Sequence, residues 1–430
     1  MMRRAVCIAL LLLPSLLHAQ GDGHLLSVDA DFLTRGEIRD GGLSQWKPDS
    51  EKDRAAFILG RTRVSVEYAH KGFSGRISAQ HSGTWGDDGA IGVYEAWVQY
   101  KSDPGFFAKV GRQDLSYDDQ RIFGSDSWSM TGMSHDVLKA GYEGHGHKVH
   151  LFAAYNQNVE NMNGGSIFHG GYQSYKELEA LWYHYDVTAW NLGLSAVFLN
   201  VGMQGGDNMG DLTEIVYHQQ LAGGYVSFKP KGWAAEAAYY RQMGKYDGGI
   251  PIEAWMTSAK VTASPSDTWQ FTAGYDYLSG DDSFATPEQG QMGLAHHDKI
   301  KGFNSIFGSH HKFYGAMDFF YVSTYVGGFT PGLQNAYAGT RWSPIPSIAV
   351  DASYHFLSVA TKVHNMSRAL GHEVELSASW SFSPGASLSL GYSFMQGTEL
   401  MEVLKRVSGN HRLHWGWLML RAHPTMKSIH

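Results

Sequence analysis

Positively charged side chains recur at alternate positions of many strand-like segments. Arg61 and Arg63, for example, lie on one face of an extended chain, because successive side chains of a strand point to opposite sides. A guanidinium group binds a carboxylate through two parallel hydrogen bonds, and an ammonium group attracts it as a point charge. A face of this kind on the inside of a barrel could bind passing anions. The alternation assigns these cations to the inward face: Arg61, Arg63, Arg76, Lys109, Lys139, Lys148, Lys260, Arg341 and Arg412.

Negatively charged side chains occupy the same face in nearly equal number. Rings of charge of one sign set the ion selectivity of a pore, so this balance predicts no strong preference for ions of either sign. The alternative is that the charges pair across neighbouring strands and brace the wall. The anions assigned to the inward face are Glu67, Glu95, Glu143, Glu177, Glu179, Glu236, Asp276, Asp351, Glu373 and Glu375.

Histidine and aspartate clusters are the candidates for metal binding. His296-His297-Asp298 and His310-His311 could ligate a transition metal, although histidines in solvated loops are more common. Asp87-Asp88 and Asp281-Asp282 could bind calcium, but turn chemistry explains these pairs more simply. We therefore predict no cofactor, with calcium in the outer loops as the alternative.

Nucleophilic catalysis has little support in the sequence. The one cysteine, Cys7, lies in the apolar N-terminal segment, so thiol chemistry and disulfides are excluded for the rest of the chain. No motif such as Gly-x-Ser-x-Gly places a serine nucleophile. We predict that the protein is not an enzyme, and a membrane-embedded hydrolase is kept as an alternative.

The elements that carry these residues are predicted to be β-strands. A two-residue alternation of apolar and polar side chains runs through segments such as 348–356, 373–382 and 388–394. Aromatic residues make up 13% of the chain and charged residues only 17%, with 51 glycines and 12 prolines. A soluble surface usually carries about a quarter charged residues. This composition favours a transmembrane β-barrel with aromatic girdles.

The connections alternate between short turns and long polar loops, as in bacterial barrels. A first count gives nineteen strand-like runs, one of them at 311–323, and an odd number conflicts with a single bacterial chain. Treating 280–331 as one long outer loop leaves eighteen strands, with sixteen as the main competitor. A barrel of this size should enclose an aqueous lumen. Short turns are predicted at 70–72, 102–105, 144–147, 229–232, 264–267, 343–346 and 383–385, and long loops at 39–53, 117–133, 158–174, 202–212, 359–370 and 398–410.

Residues 1–19 have the features of a secretory signal peptide. Arg3 and Arg4 precede a short apolar run, and Ala19 offers a processing site. We predict removal of this segment and a single barrel domain over 20–430 in the bacterial outer membrane. The expected partners are outer-membrane lipid, the barrel-assembly machinery and a polar or anionic solute. The net charge of −7 gives no support for nucleic-acid binding.

Three stretches resemble the alginate-export family of outer-membrane barrels. They are Gly111 to Gly124 (GRQDLSYDDQRIFG), followed by Trp128 and Ser134-His135-Asp136, then Tyr277 to Asp282, and finally His311 to Phe320. The resemblance implies an eighteen-stranded, porin-like barrel that passes an anionic polysaccharide by diffusion, through a constriction rich in arginine and lysine. The resemblance implies that Arg112 and Arg121, which lie in the matching motif, and Lys312 supply the cations of this constriction.

Two observations qualify the resemblance. The balanced charges of the lumen argue against alginate itself, and a uronate polysaccharide, an oligosaccharide or another small anionic or polar solute fits a channel equally well. Arg112 and Arg121 flank Asp114, Asp118 and Asp119, so these arginines either contact sugar carboxylates or hold the loop through those aspartates.

A structural or adhesin-type barrel with a plugged lumen is the alternative function. Trp46, Trp85, Trp128, Trp182 and Trp415 are assigned mainly to interfacial girdles.

Overall fold

The computed structural model describes residues 23–40, 54–158, 160, 162, 165–206, 211–281, 298–318, 330–405 and 412–429. The predicted signal segment lies outside these residues and stays a prediction. The helices within the described part are short, and none of them is long and apolar enough to cross a membrane.

The strands form one closed antiparallel sheet of eighteen strands. Each strand pairs with its neighbours in sequence, and β1 closes the barrel by pairing with both β2 and β18. Residues Thr425–Ile429 continue β18 past His423-Pro424 and pair with Leu25–Asp29. The strands are β1 (Leu25–Asp40), β2 (Ala55–His70), β3 (Phe73–Thr84), β4 (Ala90–Lys101), β5 (Phe106–Gln113), β6 (His135–Gly144), β7 (His147–Tyr155), β8 (Glu177–Val187), β9 (Leu192–Gly206), β10 (Leu212–Phe228), β11 (Trp233–Gly244), β12 (Ala254–Ala263), β13 (Trp269–Leu278), β14 (Leu333–Ile345), β15 (Ile348–Ser358), β16 (Ala369–Ser383), β17 (Ala386–Gly397) and β18 (Arg412–Ala422).

The eighteen-strand prediction is confirmed, and so is the decision to treat 280–331 as a loop. β13 ends at Leu278 and β14 begins at Leu333, and the described part of the connection contains only a 3₁₀ turn at His310–Lys312. Other short helices are Thr188–Trp190, Asp247–Gly249 and α1 (Glu399–Lys405). The end of the barrel with the short turns is called the turn end below, and the opposite end is called the loop end.

Apolar side chains cover the outward face of the wall and form aromatic girdles. At the turn end, the ring of Phe73 lies 4.8 Å from Tyr100, Phe106 lies 4.9 Å from Tyr142, and the indole rings of Trp269 and Trp342 are 6.1 Å apart. Aromatic rings of this kind suit the boundary between hydrocarbon and headgroups, because they are apolar with polar edges. They mark where the barrel meets the membrane interface.

Candidate functional site

Two loops from the loop end fold into the barrel and pack against each other. They are loop 114–134 between β5 and β6 and segment 298–318 between β13 and β14, together called the plug. The rings of Phe123 and Phe307 stack 5.7 Å apart. The backbone N–H of Gly124 donates to Phe307 O at 2.9 Å, and that of Ser309 donates to Gln120 O at 3.0 Å. The two loops therefore act as one unit.

The plug has an apolar core that continues into the inner face of the wall. Leu115, Phe123 and Met317 of the plug are fully buried in one cluster with inward residues of several strands. Those wall residues include Leu178, Leu199, Leu221, Met256, Leu357 and Trp415. The predicted aqueous lumen is therefore wrong for this region, where side chains fill the interior.

Arg121 anchors the tip of loop 114–134 inside the barrel. Its guanidinium group lies 2.8 Å from Asp119, 2.7 Å from Asp276 of β13 and 2.9 Å from the Tyr314 hydroxyl. Burial opposes the charged form, but the facing Asp276, Tyr314 and Asp119 raise the pKa of Arg121 above its usual range. Arg121 joins both loops to the wall, as the loop-holding interpretation predicts.

Two inward carboxylates of β16 anchor segment 298–318. The backbone N–H of Met317 donates to Glu373 at 2.8 Å, and that of Ala316 donates to Glu375 at 2.6 Å. Gly315 has a φ of +94°, and a Cβ atom there would lie 2.2 Å from a Glu373 oxygen. Only glycine fits this approach without strain.

A row of wall side chains binds the returning arm of loop 114–134. Arg35 donates to Trp128 O at 2.9 Å, Arg61 to Ser129 O at 3.1 Å and Gln80 to Thr131 O at 3.0 Å. Arg61 also pairs with Asp31 at 2.7 Å. Arg61 is inward, as predicted, but it is buried beneath the plug and serves to hold it.

Ser195, His184 and Asp186 form a hydrogen-bonded chain that holds the loop tip. His184 lies 2.8 Å from both the Ser195 hydroxyl and Asp186. The Ser195 hydroxyl donates to Asp118 at 2.5 Å, and the Trp182 indole donates to the same carboxylate at 3.0 Å. Because the Ser195 proton is directed to Asp118 rather than to His184, this chain anchors the loop and does not activate a nucleophile.

Three inward cations, Arg63, Lys109 and Lys139, differ from the anchoring residues described above. We call these three the cation row. Each lies against an aromatic ring: Arg63 is 3.3 Å from the centre of Tyr94, Lys109 is 3.7 Å from Trp97, and Lys139 is 5.8 Å from Phe107. Arg63 also donates to Gln80 at 2.6 Å. None of the three forms an ion pair with a carboxylate in the part of the chain that the structure describes.

Lys109 and Lys139 are directly opposite each other on β5 and β6. Like charges at opposed positions of adjacent strands destabilise a sheet. Both side chains are only partly buried, so water and a passing solute can reach them. A repulsive pair of this kind is an expected cost where the charges serve binding.

Two cavities lie beside the plug. The larger, of about 700 Å³, is lined at the turn end by Gly146, Thr188 and Lys229 and reaches Asp118 and Trp182 beneath the plug. The smaller, of about 400 Å³, lies between the plug and the β1–β18 wall and is lined by residues that include Lys312 and Arg421. We call the larger one the vestibule.

Lys312 lines the smaller cavity, where partial desolvation of its ammonium group lowers its pKa. Four of the remaining predicted inward cations pair with carboxylates on the wall. Arg76 contacts Asp29, Glu67 and Glu95, Lys148 lies 3.3 Å from Asp186, Lys260 pairs with Glu236, and Arg341 lies 3.3 Å from Asp351. These four cations therefore pair with carboxylates and brace the wall, which is the alternative that the sequence analysis gave.

Arg112 does not line the lumen. It shares the outward face of β5 with Phe106 and Val110, which are 59% and 50% exposed. Its guanidinium group forms a bidentate pair with Asp136, at 2.9 and 2.7 Å, and stacks 4.1 Å from the Tyr172 ring. The prediction that Arg112 contacts the solute inside the pore is therefore wrong.

Arg412, Glu177 and Glu179 are also outward rather than inward. On β18, Leu413, Trp415 and Trp417 point inward to the plug, whereas Leu418 and Leu420 are exposed outside. On β8, Leu178, Ala180 and Trp182 face the same apolar interior. Because the inner face is apolar where these strands meet the plug, Arg412, Glu177 and Glu179 lie on the outer face.

Several inward charges of β1 and β18 were missed by the sequence analysis. Glu37 lies 2.7 Å from both Arg35 and Arg39, and its carboxylate also accepts from Trp415 at 2.9 Å. Arg421 pairs with Asp31 at 2.8 Å. The alternation of charges at odd positions from Asp29 to Arg39 is the signal that could have identified those on β1.

The candidate metal ligands have other roles where the structure describes them. His311 stacks 4.0 Å from Trp128 and lies 2.9 Å from Asp318, while Asp281 accepts from the backbone N–H groups of Lys301 and Thr330. Asp87 caps its own turn through the Asp88 N–H. Among the described residues, no group of three or more His, Asp or Glu is placed to hold a metal ion. Asp282, His296, His297 and the side chain of His310 lie outside the described part.

The girdle assignment of the tryptophans is correct only in part. Trp85 is exposed, but Trp182 and Trp415 are buried on the inner face, and Trp128 belongs to the plug. Trp46 lies outside the described residues. The actual girdles use other aromatic residues, as described above.

Comparison with known proteins agrees with this architecture. The family model described as "Alginate export" matches residues 78–402. The chain belongs to the alginate-export family. Its outer-membrane location and its place among porin-like channels follow from this match. A search of curated proteins gave no match.

Solved structures of outer-membrane proteins share the fold at low sequence identity. Pseudomonas aeruginosa OccK9 (OpdG) is 12% identical with a TM-score of 0.61, over 93% of this chain and 98% of that one. P. aeruginosa OpdK is 11% identical with a TM-score of 0.60, over 93% and 99%. Acinetobacter baumannii OccAB1 is 12% identical with a TM-score of 0.60, over 93% and 97%. At this identity the likeness concerns the fold alone.

Proposed function

We propose that this family member is a diffusion channel for small, carboxylate-bearing polar solutes, with uronic acids and short uronate oligomers as the model class. The observation that carries the proposal is the opposed pair Lys109 and Lys139, which has no carboxylate partner among the described residues. A solute carboxylate would relieve their mutual repulsion.

The size of the solute is inferred from the plug. Its apolar core is continuous with the wall, so a wide path would require the core to separate. The vestibule, at about 700 Å³, has the volume of a small-molecule site, which typically spans roughly 300–1,000 Å³. These dimensions favour a monomer or short oligomer over a polymer.

The same plug favours a second candidate, a structural barrel that conducts nothing. Its support is the set of anchors at Arg121, Glu373 and Glu375, which together hold both loops inside the barrel. The two candidates differ in one measurable property, which is permeation through the folded barrel.

Proteoliposome swelling tests the proposal with glucuronate and glucose, which are close in size and differ in charge. We expect swelling with both, and a glucuronate-to-glucose rate ratio that falls by about twofold or more in a Lys109→Gln/Lys139→Gln variant. Lys260→Gln is the matched control, because Lys260 is inward but paired with Glu236. An unchanged ratio contradicts the proposed solute class, and no swelling with folded protein favours the plugged barrel.

A further inference from the structure

Asp114 lies at the point where loop 114–134 leaves β5 and enters the lumen. One carboxylate oxygen, Oδ2, accepts a long hydrogen bond from the Tyr94 hydroxyl at 3.4 Å. The other, Oδ1, is buried and has no hydrogen-bond partner. A buried carboxylate oxygen without a donor is costly, because it has lost water and gained nothing in return.

The charges that surround Asp114 include the whole cation row. Arg63 and Lys109 interact with its carboxylate, and so does Lys139 from the neighbouring strand. One carboxylate therefore faces three cations without a direct ion pair to any of them. The titratable groups that face it are Arg63 of β2, Tyr94 and Glu95 of β4, Lys109 of β5, Lys139 of β6 and Tyr117 of its own loop.

We infer that Asp114 is the internal counter-anion of the cation row and sets how strongly the row attracts a solute carboxylate. The inference rests on the proposed function and names the residue that tunes it. With Asp114 ionised, part of the positive field is already neutralised, so a passing anion is attracted weakly. With Asp114 neutral, the full field of the three cations faces the solute.

This arrangement predicts a pH-dependent selectivity. Burial, with the nearby charge of Glu95, raises the pKa of Asp114 to about 6. The carboxyl group is therefore ionised at neutral pH and becomes protonated as the pH falls through about 6. Anion preference should rise on acidification over that interval.

Reversal potentials in planar bilayers under a KCl gradient test the inference. For the wild-type channel we expect the chloride-to-potassium permeability ratio to rise by about twofold or more from about pH 7.5 to about pH 5. Asp114→Asn should show the high ratio at both pH values. Asp351→Asn is the matched control, since it also removes one inward carboxylate but lies beside Arg341, outside the row; it should keep the pH step.

A second variant keeps the test decisive if Asp114→Asn does not fold. Tyr94→Phe removes the hydrogen bond that lowers the pKa of Asp114, so the midpoint of the selectivity step should move to higher pH. A step that persists in Asp114→Asn, or a midpoint unmoved by Tyr94→Phe, overturns the inference. If Lys109→Gln/Lys139→Gln lowers anion preference while Asp114→Asn changes nothing, this inference fails and the proposed function stands.

Discussion

Two sets of charged side chains lie inside the barrel and differ in their surroundings. Arg121, Glu373 and Glu375 are held by short contacts to both loops and the wall, with Arg121 and Glu373 fully buried. The cation row has aromatic neighbours and no direct carboxylate partner among the described residues. Burial and pairing, rather than charge or motif, therefore separate the residues that hold the plug from those that we propose to face a solute.

The largest expected effect follows from removing the central anchor. Arg121→Met leaves Asp276 and Asp119 buried without their partner, and breaking such a pair costs roughly 3–5 kcal/mol. We expect loop 114–134 to leave the lumen, with faster hydrogen exchange over 114–134 and larger single-channel conductance. Heat-modifiable gel mobility checks that the barrel is intact. Adding Asp276→Asn should restore part of the protection; exchange identical to wild type would show that Arg121 anchors nothing.

A smaller loss of stability is expected where Gly315 packs against Glu373. Gly315→Ala places a Cβ atom 2.2 Å from a Glu373 oxygen at a φ of +94°, and strain of this kind costs roughly 1–3 kcal/mol. Segment 298–318 should become more accessible to protease added to the folded barrel. Gly416→Ala is the control, because nothing lies within 4 Å of the Cβ position there. Equal cleavage of the two variants would contradict this account of Gly315.

Substitutions in the cation row, unlike those at the anchors, should not destabilise the barrel. Lys109→Gln/Lys139→Gln removes a like-charge pair, so the barrel should be unchanged or stabilised by about 0.2–1 kcal/mol, the usual size of cross-strand terms. Thermal unfolding, followed by the loss of heat-modifiable mobility, measures this. A clear loss of stability would place these lysines with the anchors and remove the basis of the comparison.

Arg112 should give the smallest effect. Its pair with Asp136 is outward and partly exposed, and such pairs contribute roughly 0–1 kcal/mol. Arg112→Gln should therefore leave the reversal potential and the conductance as they are in the wild type. A shift in ion selectivity would mean that Arg112 reaches the lumen, contrary to its position on β5.

Much of the fold could be predicted because the alternation of apolar and polar residues directly reflects a wall between lipid and water. Because bacterial barrels have an even number of strands, nineteen strand-like runs were reduced to eighteen strands. The placement of Arg63, Lys109 and Lys139 on the inner face is also correct. The same alternation placed Arg412 and Glu179 wrongly. On β18 and β8 the inward Trp415 and Leu178 belong to the apolar cluster of the plug, so Arg412 and Glu179, which lie on the other face, point outward.

The plug itself could not be predicted from local patterns. Loop 114–134 reads as polar through Asp114, Asp118 and Asp119, and its burial depends on contacts with residues far along the chain, such as Asp276 and Phe307. The family resemblance identified segments that fold inward, and the sequence left two roles open for Arg121, contact with a solute or holding of the loop. Only the three-dimensional contacts show that Arg121 holds the loop.

The reversal potential of single channels under a KCl gradient tests whether the cation row gives the channel a preference for anions. We predict a mild anion preference at neutral pH for the wild-type barrel and its loss in Lys109→Gln/Lys139→Gln, with Arg341→Gln, whose cation is paired with Asp351, remaining close to wild type. A cation preference in the wild type, or an anion preference that survives in the double variant, would contradict the account.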